Sequence, residues 1–172
     1  ELRPDVAVLR LPVTWTDLQF DEMSWHDCHV WGLAVRPGDP DRNDWTSDFV
    51  LDIDFITEWL CSVDGGASFR VAPATLTFHG ATNPEISVAW GPSGHQTAVH
   101  PMSIAGVTRE RVTDQQVYLD RPYYRWRVAL HWPHGGFIAL GAVGFTQVLR
   151  AEPVLMREQQ LPPSARRKDV FA

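Results

Sequence analysis

Residues 48–55 alternate without a break: Phe49, Leu51, Ile53 and Phe55 are large and apolar, and between them stand Asp48, Val50, Asp52 and Asp54. A period of two puts the two sets on opposite faces of an extended chain, so this segment reads as a strand and not as an amphipathic helix. Residues 123–132 repeat the pattern, with Tyr124, Trp126, Val128, Leu130 and Trp132 on one face and Tyr123, Arg125, Arg127, Ala129 and His131 on the other. Turn signals flank both segments. Pro37-Gly38-Asp39-Pro40-Asp41 precedes the first and Pro133-His134-Gly135-Gly136 follows the second, and each predicts a hairpin.

Further strand-like pieces run over 69–71, 74–79, 85–90 and, more weakly, 102–112, punctuated by Asp64-Gly65-Gly66 and by the turn from Gly80 to Pro84. Gly141, Ala142 and Gly144 in the returning strand after residue 137 mark a bulge, a bend or a close backbone approach. The spacing predicts a mainly β fold, an antiparallel sandwich or partly open barrel with a short C-terminal helical segment. At 172 residues the chain suits one domain, with residues 1–12 as an extended arm. Residues 152–172 form a polar tail of helical turns, interrupted by Pro162-Pro163.

Composition narrows the classes of function. A hydrophobic content of 44% with eight Trp and eight Phe describes a packed protein and excludes a disordered one. The net charge of −6 argues against nucleic-acid binding, which needs a basic face to displace counterions. Lys168 is the only lysine, so positive charge comes almost entirely as arginine forks suited to fixed carboxylate pairs. Cys28 and Cys61 read as reduced thiols, and no apolar run approaches membrane-spanning length; the expectation is a soluble, cytoplasmic protein with no membrane partner.

Chemically able groups crowd together at Trp25-His26-Asp27-Cys28-His29. If 27–35 is a strand, Asp27 and His29 face one way and His26 and Cys28 the other, so the four converge on an ion only if His26 and Asp27 occupy an irregular turn before the strand. No second zinc-type spacing appears, and no metal or cofactor is expected. A Cys28 nucleophile served by His79, His100 or His131 lacks the glycine-supported elbow or helix N-terminus that would expose and acidify a thiol, and Cys28 reads as a core residue.

The acidic ladder Asp48, Asp52 and Asp54 needs an offset, because like charges on one strand face repel. Arg125 and Arg127, on one face of another strong strand, are the expected partners. His131 and His134 flank Trp132-Pro133, while His95 and His100 bracket a loop, and isolated surface histidines commonly bind nothing. The tryptophans Trp25, Trp31, Trp45, Trp59, Trp90, Trp126 and Trp132, with Tyr124, suit core packing for the most part, a ligand cavity or partner surface otherwise. No phosphate-cradling glycine loop, nucleophile elbow or His-Glu-x-x-His motif is present.

The order His26-Asp27-Cys28, Leu51-Asp52-Ile53-Asp54, Leu76-Thr77-Phe78-His79-Gly80 and Ile86-Ser87-Val88 resembles small uncharacterised bacterial proteins, some grouped with polymorphic-toxin immunity proteins. The resemblance spans about residues 24–90. It implies an α+β or mostly β domain with a binding role and carries over no catalytic residue.

The sequence thus points to a β-rich binding or protein-interaction domain, immunity-like in character, rather than an enzyme. Its candidate binding residues are His26, Asp27, Asp52, Asp54, Arg125, Arg127 and Trp126; its partner would be another protein or a second copy, joined at an edge strand or near Tyr123-Tyr124. The alternative is a small-molecule binder or hydrolase-like enzyme with an acidic, aromatic pocket.

Overall fold

The computed structural model describes residues 14–63, 65–91, 99–114 and 120–166. The predicted arm over 1–12, His95 and the end of the tail lie outside these residues. Ten strands carry the fold: β1 (Thr14–Thr16), β2 (His29–Pro37), β3 (Ser47–Cys61), β4 (Ala67–His79), β5 (Thr82–Ser87), β6 (Met102–Arg111), β7 (Tyr124–Trp132), β8 (Phe137–Ala142), β9 (Gly144–Leu149) and β10 (Val154–Met156). They form one antiparallel sheet in the order β1-β9-β4-β3-β2-β6-β7-β8-β5, with β10 beside the first part of β4. The chain is therefore mainly β, and its sheet is not closed into a barrel.

Both predicted hairpins form. β2 and β3 pair from Pro37↔Ser47 to His29↔Asp54, and β7 and β8 pair from Ala129↔Phe137 to Tyr124↔Ala142. The pieces at 69–71 and 74–79 are one strand, β4, running through Pro73. Pro73 contributes its carbonyl, which accepts from the Arg150 amide. β5 begins earlier than its alternation suggested and ends before Trp90.

β8 and β9 follow one another with only Val143 between them, yet β8 pairs with β7 and β9 with β4. The backbone therefore links the two flanks of the sheet at the small residues singled out in the sequence. Glycine is required on both sides of this bend: a Cβ at Gly141 would overlap the Tyr123 hydroxyl, and one at Gly144 would lie 2.7 Å from Asp17 Oδ1.

The core lies on the face carrying Phe49, Leu51 and Ile53 of β3, Leu76 and Phe78 of β4, Trp126 and Val128 of β7, Ile138 and Leu140 of β8 and Phe145 of β9. Full burial of one such side chain is worth about 1.5–3 kcal/mol, so this face dominates stability. Trp25 closes it and donates its indole N–H to the buried Gln147 Oε1 at 2.7 Å. Trp126, expected as a binding residue, has no exposed surface and donates to the Ala142 carbonyl, so it is a core residue.

Among the described residues the helical content is small: two 3-10 segments, Asp17–Glu22 and Pro40–Arg42, and a turn after Pro162 where Ala165 and Arg166 donate back to the Pro162 carbonyl. In the described part of the C-terminal segment, up to residue 166, helical structure is limited to that turn. The segment adds β10 to the sheet and then buries Leu161.

At one margin of the sheet, β5 carries Pro84 and Glu85, and its register with β8 shifts between Thr82 and Glu85. A missing N–H, a charge and a bulge each discourage another strand from adding to an edge.

Candidate functional site

β2 starts at His29, not at Asp27, and that two-residue difference creates the site. The Cys28 amide donates to the Trp25 carbonyl at 3.0 Å, closing a turn in which Asp27 takes a positive φ of 62°. Aspartate is among the few non-glycine residues that enter this region readily. The Asp27 amide donates to the Ile104 carbonyl at 2.8 Å, fixing the turn against β6. Strand alternation therefore does not govern His26 and Asp27, and their side chains meet: His26 Nδ1 lies 3.3 Å from Asp27 Oδ2.

His131, near the end of β7, completes the group. Its Nε2 lies 3.2 Å from His26 Nε2 and 3.5 Å from Asp27 Oδ1. It arrives there because β6 lies between β2 and β7 and joins their ends, with Ser103 paired to both His29 and Trp132. Gln159 donates to Asp27 Oδ2 at 2.8 Å. The two imidazoles are about half exposed, at 50% and 48%, so the group faces solvent.

A cavity of about 500 Å³ lies beside it, lined by His29, Trp31, His100, Pro101, Ser103, Trp132 and Gln160. Its walls are near in sequence to the triad and Gln159: His29 is two residues after Asp27, Trp132 follows His131, and Gln160 follows Gln159. The His100 ring packs edge-on to Trp132, and the Trp90 indole holds the His100 carbonyl at 2.9 Å. His29 Nδ1 is buried without a hydrogen-bond partner. Desolvation lowers the His29 pKa from its ordinary value of 6.5, against opposing contributions from the Asp54 charge and a hydrogen bond to the Gln159 backbone. The lowered pKa favours the neutral ring, and its Nδ1 is enclosed by protein.

Asp52 and Asp54 take no part as open carboxylates. Asp54 is fully buried: its Oδ2 accepts from the Trp31 indole at 2.9 Å, the Leu161 amide at 2.8 Å and Arg166 at 3.2 Å. The Arg166 guanidinium also lies 3.3 Å over the Trp31 ring. Asp52 pairs with Arg150 at 2.6 Å, and Arg150 donates as well to the Ala74 carbonyl. The expected aspartate-arginine pairing is thus correct in kind and wrong in partner. Arg125 instead pairs with Glu110 at 3.6 Å, and Arg127 lies 3.7 Å over the Phe137 ring, because β7 is separated from β3 by β2 and β6. Asp48, the third rung, meets His79 Nδ1 at 3.3 Å.

Cys28 is wholly buried, its Sγ accepting from the Ile56 amide at 3.4 Å, and burial pushes its pKa up to about 12. A thiol held protonated in this way is a core group, not a nucleophile. It forms no bridge with the exposed Cys61.

Of the residues singled out in the sequence, the structure brings His26 and Asp27 together and leaves the other five elsewhere. His29 was visible as a member of the five-residue cluster, His100 and His131 as surface histidines or partners for a Cys28 nucleophile, and Trp31 and Trp132 as members of the aromatic set. Gln159 and Gln160 gave no signal, since nothing local in a polar tail tells which glutamine returns to the sheet. Among the described residues, no helix is long and apolar enough to cross a membrane. No protein-family model, curated protein or solved structure matches the chain.

Proposed function

We propose that this protein is a binding domain whose ligand is a small, flat, mostly apolar molecule received between Trp31 and Trp132. The cavity that both indoles line carries the reading. Its volume of about 500 Å³ falls in the range of small-molecule sites, roughly 300–1,000 Å³, and aromatic walls with a few polar groups are typical of such sites. Ser103 and Gln160 line the same space and supply polar groups beside the aromatic walls.

The protein-interaction reading from the sequence keeps one support, the exposed Trp45 and Trp59. Neither lines the cavity, and Trp59 packs edge-on to Phe69 with His26 nearby, so the cavity is the better-formed feature.

A thermal-shift screen of small aromatic and heteroaromatic compounds, repeated with Trp132→Ala, tests the proposal. Compounds that raise the Tm of the native protein should lose that effect in the variant. Stabilisation that persists in Trp132→Ala would place binding elsewhere and reject the cavity.

A further inference from the structure

We propose that His26, Asp27 and His131 bind a divalent transition-metal ion of the zinc class. Each residue offers one ligand atom, and the three atoms lie within 4.8 Å of one another. The finer distances carry the argument. Tetrahedral ligands at about 2.0–2.1 Å from a zinc ion stand roughly 3.3–3.4 Å apart. His131 Nε2 lies 3.2 Å from His26 Nε2 and 3.5 Å from Asp27 Oδ1, so two edges of such a tetrahedron are already set.

His26 Nδ1 lies 3.3 Å from Asp27 Oδ2, so a proton on that nitrogen sits beside the carboxylate. Of the two Nε2 atoms, 3.2 Å apart, one donates to the other in the metal-free protein. With an ion bound, both imidazoles carry their proton on Nδ1 and both Nε2 atoms are ligands.

Asp27 divides its oxygens in the way a ligating carboxylate requires. Oδ2 accepts from Gln159 Nε2 at 2.8 Å, and Oδ1 faces His131. Gln159 is a positioning residue, since an outer hydrogen bond of this kind typically contributes 10–100-fold to metal affinity. The left-handed backbone at Asp27 and the hydrogen bond of its amide to the Ile104 carbonyl place the residue, and Gln159 holds the carboxylate.

Nitrogen and carboxylate ligands in this ratio suit zinc, cobalt, iron or manganese rather than calcium, which wants six to eight oxygens. Three protein ligands leave at least one coordination position, and the half-exposed imidazoles leave it on the solvent side. The proposal does not rest on the cavity reading: it concerns a metal held by three side chains, none of which lines the cavity.

Equilibrium dialysis of the metal-stripped protein against Zn(II), with Co(II) absorption as a spectroscopic probe, tests the site. The expected result is one zinc per chain and a visible Co(II) band with nitrogen ligation. His131→Gln and Asp27→Asn should each weaken zinc binding at least 100-fold, and Gln159→Ala roughly 10-fold, all with unchanged far-UV circular dichroism. His26→Gln serves as a second ligand variant should Asp27→Asn alter the fold. Absence of stoichiometric zinc in the native protein, or binding that survives loss of both histidines, would overturn the proposal. Either result leaves the thermal-shift response of the cavity untouched, so the two readings fail separately.

Discussion

Arg166, near the end of the described chain, donates to the carboxylate of Asp54, which is wholly buried in the middle of β3. Asp54 also accepts from the Leu161 amide, so one side chain holds the chain at residues 161 and 166, directly after Gln159, which bonds Asp27, and Gln160, which lines the cavity. A structural ion pair thus anchors the chain next to the residues it lends to the candidate site.

Removing one partner of that pair strands the other. Arg166→Ala leaves a buried carboxylate without its cation, an effect worth about 3–5 kcal/mol, or roughly 6–20 °C in Tm for a chain of this length. Asp54→Asn paired with Arg166→Met removes both charges and should recover much of the loss. Thermal unfolding of the single and double variants checks this; equal Tm values for Arg166→Ala and the native protein would show that the segment is held by other contacts.

The two cysteines should react in sequence. Native protein treated with a thiol reagent at pH 8 is expected to lose the exposed Cys61 at once and to retain Cys28 until it is unfolded, because burial pushes the Cys28 pKa up to about 12. Mass spectrometry before and after denaturant reads one adduct and then two. Prompt double labelling would contradict the buried position of Cys28.

Stability should depend on pH through His29. Its folded pKa is lowered, so between that value and the unfolded 6.5 the unfolded chain binds more protons than the folded one. The contribution of His29 is therefore fully present above pH 6.5 and is lost as pH falls through the folded pKa. Chemical denaturation at pH 7.5 and at successively lower pH should show this decline, and His29→Gln should flatten it. A slope unchanged in the variant would assign the effect to other groups.

Gly141→Ala should destabilise the protein by about 1–3 kcal/mol, since the new methyl must displace the Tyr123 hydroxyl from the bend between β8 and β9. Tyr123→Phe in the same chain should relieve part of the clash, and denaturant midpoints of the two variants provide the measurement.

Most of the fold was legible in the sequence because strand alternation is a local signal: residues 48–55 and 123–132, their turns and the small residues of the bend all stand where the pattern puts them. Arginines paired with the aspartates were also foreseeable. Which arginines was not, since Arg150 and Arg166 reach β3 through sheet order and the path of the tail, and neither follows from local periodicity. The site was hidden for a related reason. Alternation applied one turn too early separates His26 from Asp27, and only the positive φ at Asp27 reunites them; the partners His131 and Gln159 lie more than a hundred residues away.

If the aromatic cavity receives a ligand, the indole N–H resonances of Trp31 and Trp132 report on it directly. Proton-nitrogen correlation spectra of the native protein, recorded with the compounds that raise its Tm, should show these two indoles and the His29 and His100 ring signals shifting together while Trp25 and Trp126 stay still. Shifts confined to other tryptophans, or none at saturating compound, would contradict the account.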